Sequence, residues 1–317
     1  LFGGGTLPYN RAMKKVPIRL IAALCGVLLA AAGCSINRLA VRAVAGMLSG
    51  GGGGGGDAFT TEDDPELVGD ALPFAMKLYE SLLAADPENP DLLLATGRIF
   101  VMYANAYVQT PADMLEASEV ELQTAMRVRA KRLFLRAREY VLRGLELRRP
   151  GFRADLAAGK VDAALARLKD DDADFLYWAS AAWMSAFSID PFDMELLVTV
   201  PQPIAMLEQV NAWDAAYGGG AVHDIFVSVY GSLPADIGGS EARARAEFAR
   251  SLELSKGSKA GPYLALATAI SVKNQNATEF RDLIGKALAI DVDAFPANRL
   301  ENTLAQRRAR WLLAHIG

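Results

Sequence analysis

Beyond residue 59 apolar side chains return every three or four positions, and each such run is closed by residues that end helices. Residues 63–108 show the pattern best. Asp64 is placed to cap a helix whose first residue is Pro65, because the first helical position needs no N–H. Leu67, Ala71, Phe74, Leu78 and Leu82 follow at helical spacing and predict one apolar face. Asp86-Pro87 stops that helix. Asn89 caps the next, which opens on Pro90 and presents Leu93, Gly97, Phe100 and Ala104. Helices joined by so short a turn pack antiparallel, and the pair still has apolar surface to cover, which is the logic of a helical repeat array.

The pattern reopens at Thr110-Pro111 and runs to about Arg148, with Leu133, Phe134, Ala137, Tyr140, Val141 and Leu145 on its later face. Such a run is long for one helix, and a break is expected near Ala117-Ser118. Arg127, Arg129, Lys131, Arg132, Arg136, Arg138 and Arg143 lie around the whole circumference, as on a solvated helix whose cations pair with nearby acids. A short helix is expected within 159–169. The acids Asp170, Asp171, Asp172 and Asp174 then mark a helix start. The helix that follows, 175–187, is apolar almost all round, so it is expected to be central and buried.

Pro203 opens a helix ending at Trp213. Gly218-Gly219-Gly220 permits a reversal, and further helices are expected at 222–229, 262–272 and 298–313. Laying Leu252-Glu253-Leu254 on Leu288-Ala289-Ile290 gives a shift of 36 residues, near the roughly 34-residue period of tetratricopeptide repeats. No strand-like alternation of useful length appears. The expected fold is all-α, a tetratricopeptide-like array of helical hairpins forming an α/α superhelix, with 59–317 as one domain.

Composition changes the picture at the N-terminus. Residues 1–33 hold the cations Arg11, Lys14, Lys15 and Arg19 and no acid; the chain otherwise turns acidic. Their removal takes 33 basic residues to 29 against 37 acidic, a net charge near -8. A weakly acidic protein of this kind is a poor match to nucleic acid. Met13-Lys14-Lys15 looks like a start, with 1–12 an upstream extension. The apolar run 18–32 is short for a membrane span and ends Ala31-Ala32-Gly33-Cys34, which resembles a bacterial lipoprotein processing signal. On that reading 1–33 is extension plus signal peptide, and Cys34 is the acylated mature N-terminus and membrane anchor. Ser35 after it resembles the outer-membrane sorting rule, with the protein facing the periplasm. An ordinary secretory signal or a single inserted helix is the alternative. Residues 34–58, with the unbroken run Gly50 to Gly56, are expected to form a flexible tether.

Candidate chemistry is sparse. Cys25 and Cys34 are the cysteines of the chain, so the body has neither a disulfide nor a thiolate metal site. There is no HExxH, GxSxG or dinucleotide glycine signature, and no cofactor is expected. His223 has no partner visible in sequence and reads as a structural hydrogen bonder. Tyr177, Trp178 and Trp183 lie close together on the small-residue helix, with Tyr103 and Tyr107 as neighbours on an earlier one. Packing in the core and lining of an apolar ligand cleft both remain open for these five. Trp178 and Trp183 are five positions apart, so at most one faces such a cleft squarely.

The chain resembles the TatT family, helical lipoproteins associated with tripartite ATP-independent periplasmic (TRAP) transporters. Residues carrying the resemblance include Asp63-Asp64-Pro65-Glu66-Leu67-Val68, Ala71-Leu72-Pro73-Phe74, Tyr103-Ala104-Asn105-Ala106-Tyr107-Val108-Gln109 and Arg129-Ala130-Lys131-Arg132-Leu133-Phe134. Others are Tyr177-Trp178, Gly218-Gly219-Gly220-Ala221-Val222-His223 and Tyr230-Gly231-Ser232-Leu233-Pro234. The resemblance spans essentially everything after Cys34. It implies tetratricopeptide-like hairpins around a central cleft or pore, a homotrimer, and contact with the solute-binding protein of the same transporter. It also implies a part in uptake of a small organic acid, with hydrophobic, fatty-acid-like ligands as the suggested cargo. A general envelope scaffold is the alternative, and an envelope hydrolase a more distant one.

Overall fold

The computed structural model describes residues 57–316. Among them every regular element is helical. After the short α1 (Asp57–Thr60), α2 (Pro65–Ala85) and α3 (Pro90–Ala104) form the expected antiparallel pair. Asp64 accepts from the Leu67 N–H at 3.0 Å and Asn89 from the Leu92 N–H at 3.1 Å, so both caps are the predicted ones. The face of α2 is not. Val68, Leu72, Met76, Tyr79 and Leu83 are buried, whereas Leu67 and Phe74 are 57% and 74% exposed. α2 is apolar on two faces, and the choice between them is made by α3 rather than by the sequence of α2.

No loop precedes Thr110-Pro111. α3 runs through a π-helical turn (Asn105–Gln109) into α4 (Thr110–Asp113). Pro111 has no N–H, and its ring would press on the carbonyl one turn back. The wider π turn just before it, closed by the Thr110 N–H to Asn105 O, accommodates the ring. The chain breaks across 114–119, close to the expected place, before α5 (Val120–Arg148).

α6 (Phe152–Ala157) and α7 (Val161–Leu165) lead to α8 (Ala173–Ile189). α3, α5 and α8 pack most intimately of all elements. Gly97 permits this: a Cβ there would stand 2.3 Å from Val141 Cγ2. Asp172, fully buried at the start of α8, accepts from Arg148 Nε at 2.8 Å and Arg149 Nε at 2.6 Å.

α9 (Met194–Leu197) and α10 (Pro201–Trp213) turn the chain back across α8. Gly218, Gly219 and Gly220, with φ of 56°, 62° and 92°, make the reversal into α11 (Ala221–Ser232). The remaining helices are α12 (Glu241–Ser255), α13 (Gly261–Leu266, continued by a π turn to Ser271), α14 (Ala277–Leu288) and α15 (Arg299–Ala314). α12 and α14 start at Glu241 and Ala277, the same 36-residue offset as in the sequence, each behind a side-chain cap from Ser240 or Asn276. α15 returns to the beginning of the body: Arg307 pairs with Glu66 at 2.7 Å, and Arg299 Nη1 donates to Thr61 O at 3.2 Å. Among the described residues no helix is long and apolar enough to cross a membrane. Residues 1–56, with the signal, Cys34 and most of the tether, lie outside the described residues.

Candidate functional site: a cavity between the two halves

α8 and α11 scarcely touch. Where they diverge a cavity of about 930 Å³ opens, within the range of small-molecule sites. The α3 side contributes Val101, Asn105 and Gln109; α8 contributes Tyr177, Trp178, Ala181, Met184 and Phe187. The opposite wall comes from Ile225, Ser228 and Val229 on α11, with Pro262 and Ala265 on α13. Small residues on α8 and α11 keep the helices slender here, and the apolar wall mixes aromatic side chains with aliphatic ones.

Of the aromatics singled out from the sequence, Tyr177 and Trp178 line this cavity. The edge of one meets the face of the other at 5.3 Å between ring centres. Trp183 lies off it, buried, with its indole N–H donating to Thr199 Oγ1 at 3.2 Å and Arg138 over its ring at 4.5 Å. Tyr103 and Tyr107 also lie away. They stack on each other at 6.1 Å, with Arg129 over Tyr103 and the Tyr107 ring against Gly69 of α2. On the π turn Asn105 and Gln109 face the cavity and Tyr107 does not.

One end of the cavity is charged. Asp224 on α11 and Glu301 in the first turn of α15 both line it. Asp224 is held from outside: Lys259 Nζ donates to it at 3.1 Å and to Gly218 O at 2.9 Å, and the Ser251 hydroxyl donates to its other oxygen. Glu301 makes no hydrogen bond among the described residues. Its side chain is solvent-accessible; the depth of its surroundings raises its carboxyl pKa, with Lys259 opposing the shift and Asp224 adding to it. The Tyr177 phenol is raised by burial, and by Asp224 and Glu301 beside it. Glu301 was not foreseen, because nothing local distinguishes it from any acid in a helix first turn.

At the mouth the loop between α8 and α9 presents bare apolar surface. Phe192 is 90% exposed, with Met194 and Val198 beside it, and Pro191, Phe192 and Leu197 continue into the cavity wall. Lys131 on α5 ties this loop down through Asp190 at 2.8 Å and Asp193 at 2.7 Å.

His223 sits on the far face of α11, its Nδ1 2.5 Å from Glu247 Oε2 and its Nε2 3.2 Å from Ala215 O, a structural pair that pins α11 to α12. Among the described residues no group of His, Cys, Asp or Glu is placed to hold a metal ion.

The site is thus a roomy, mostly apolar cavity with a bare rim in an all-helical body. Residues 61–316 match the family model of the TRAP transporter T-component. A protein of Treponema pallidum (strain Nichols), described as an uncharacterized protein, is 34% identical over 317 residues, covering 96% of this chain and 98% of its own. The chain belongs to the TRAP transporter T-component family. Membership joins it to TRAP transport at the cell envelope as a transporter component, in a family that is not one of enzymes.

Proposed function

We propose that the protein is a periplasm-facing lipoprotein that docks the solute-binding protein of its TRAP transporter and receives a small apolar organic ligand in its cavity. The observation that carries this is the continuity of the bare rim at Phe192, Met194 and Val198 with the cavity wall. Exposed apolar patches of this kind mark contact sites, and a partner seated there would cover the mouth. Tyr177 and Trp178 are the proposed ligand contacts, offering large rigid apolar faces.

The body acts as a single unit from about residue 59 onward, a reading supported by the return of α15 onto α2. The 36-residue offset of α12 and α14 supports tetratricopeptide-like hairpins around the cavity. A trimer, and anchoring to the outer membrane through acylated Cys34, complete the proposal.

Phe192→Asp tests the docking. It should weaken capture of the cognate solute-binding protein at least about tenfold, the effect of an interface anchor, with an unchanged melting temperature. Wild-type affinity in that variant removes the rim from the interface. Fatty-acid labelling that persists in Cys34→Ala would refute the anchor.

A further inference from the structure

The cavity wall is layered, and helix register sets the layers. Along α8, Trp178 carries Arg98 of α3 over its ring, and Ser188 accepts from Gln109 of α3 at 3.4 Å, so the two helices run alongside each other. α11 starts at the Trp178 end, because Tyr217, in the loop leading into it, packs on Tyr177 with ring centres 5.0 Å apart. From Asp224 through Ile225, Ser228 and Val229 to Ser232, α11 then lines the wall for about 12 Å. The two ends differ in chemistry. Asp224 and Glu301 stand at the Tyr177 end, and among the described residues lining the cavity there is no lysine, arginine or histidine. Lys259 reaches Asp224 from outside and is bonded to it and to Gly218 O. A carboxylate brought to this end meets two acids and no cation in the lining. Toward the rim the polar lining is neutral. Gln109 and Ser188 are engaged with each other, whereas Asn105, Ser185, Ser228 and Ser232 make no side-chain hydrogen bond among the described residues. Asp236 is exposed on the loop beyond α11, where it is hydrated and screened.

We propose that the cavity takes an apolar organic acid tail first, with its carboxylate at the neutral belt of Asn105, Ser185, Ser228 and Ser232 just inside the rim, and its tail along Ile225 against the Tyr177–Trp178 pair. This rests on the ligand-holding reading above and adds to it a head-group subsite and a direction. A carboxylate offers acceptors only, and the belt answers with two N–H donors from Asn105 and one O–H from each serine. Hydrogen bonds to an ionised acceptor are the stronger kind, so neutral donors hold it without a cation. The π turn ahead of Pro111 puts Asn105 on this wall. The acids at the other end disfavour the reversed pose. The head group is then the part of the ligand nearest Phe192, where a docked partner would meet it first.

The test is position-dependent quenching of indole fluorescence, since bromine quenches an indole only at short range. In 2-bromooctanoate the bromine sits beside the head group, and in 8-bromooctanoate at the end of the tail. Each is titrated into the full chain in a nonionic detergent, and the Trp178 signal is the difference between wild type and Trp178→Phe. At saturation 8-bromooctanoate should quench that signal the more strongly. Equal quenching, or stronger quenching by 2-bromooctanoate, overturns the direction while the ligand-holding cavity stands. Calorimetric titration of octanoate and octanol tests the subsite. Asn105→Leu, verified by its melting temperature, should weaken octanoate about tenfold, the effect of a lost hydrogen bond to a charged group, and octanol no more than about threefold. Asn105→Asp, which keeps the size and adds a like charge, should weaken octanoate further and octanol no more than Asn105→Leu does. Unchanged octanoate affinity in both variants overturns the subsite. Failure of octanoate and octanol alike to bind the wild type overturns the ligand reading itself, and this proposal with it.

Discussion

The two walls of the cavity are built on opposite principles. The α3, α5 and α8 wall is dry: Leu93, Phe100, Phe134, Val141, Leu145 and Leu176 are almost entirely buried, and long helices meet through small residues such as Gly97. The α11 to α15 wall is laced with buried polar groups, including Ser251, Ser258, Lys259, Ser271, Asn302 and Gln306. Helix length explains the contrast. Long helices satisfy their own backbone. Short ones such as α13 leave loop carbonyls and amides inside, and these must find side-chain partners. Asn302 accepts from the Ala260 N–H at 2.8 Å and donates to Ser258 O at 2.8 Å; Gln306 Nε2 gathers the carbonyls of Ala287, Leu288 and Ile290 at the end of α14. One wall is held by shape, the other by hydrogen bonds of defined direction.

Substitutions should therefore fail differently on the two sides. The largest loss is expected in the dry wall, where Phe134→Ala or Trp183→Ala should cost about 3–5 kcal/mol by leaving a cavity. Denaturant unfolding measures it, and a loss near 1 kcal/mol would mean that the wall is loosely packed. Asn302→Ala should cost about 2–4 kcal/mol, because a buried N–H and a buried carbonyl both lose their partner. Asn302→Asp sharpens the point: it keeps the acceptor for Ala260 but turns an oxygen toward Ser258 O, so it should not restore stability. Full recovery in that variant would show that the donor to Ser258 is unimportant.

Asp172 is the buried acid of the dry wall. Burial alone would raise the pKa of its carboxyl; the bonds from Arg148, Arg149 and the Lys169 N–H overcome that and hold it below the ordinary value. A depressed folded-state value means stability that is present above the unfolded carboxylate's value near 4 and lost as the pH falls through the folded one. Asp172→Asn should cost about 1.5–3 kcal/mol at neutral pH, the range for a hydrogen bond to a charged group. It should also flatten the stability–pH curve below about pH 4. A variant with an unchanged acid limb would assign acid unfolding to other carboxylates.

Legibility in the sequence followed the same divide. Helix starts are local chemistry, so Asp64-Pro65 and Asn89-Pro90 could be read directly. The buried face of α2 could not, because Leu67 and Phe74 compete with Val68 and Met76 and only the partner helix decides. Thr110-Pro111 reads as a start in sequence, since a proline that follows a π turn looks the same as one that opens a helix. Tyr177 and Trp178 were identifiable as aromatics on a slender helix. Glu301 was not, because its place depends on α15 returning across the molecule to close one end of the cavity.

The smallest stability effect concerns Trp178, and it separates a wall from its core. Trp178 and Trp183 lie on one helix five residues apart, about 140° around its axis at 3.6 residues per turn. One therefore faces the cavity when the other is turned toward Thr199 and Arg138. Trp178 is half-buried, with Arg98 over its ring at 5.2 Å and Tyr177 against its edge. Its replacement by alanine enlarges a space that is already open, so the missing term is that of a cation–π and an aromatic contact, about 1 kcal/mol. Octanol affinity should fall about fivefold in Trp178→Ala, since one wall of its site is gone. It should hold in the folded fraction of Trp183→Ala. Paired melting curves and octanol titrations of the two variants decide the matter. Equal losses of stability would mean that the cavity is closed around Trp178 in solution, and equal affinities would move the ligand off α8.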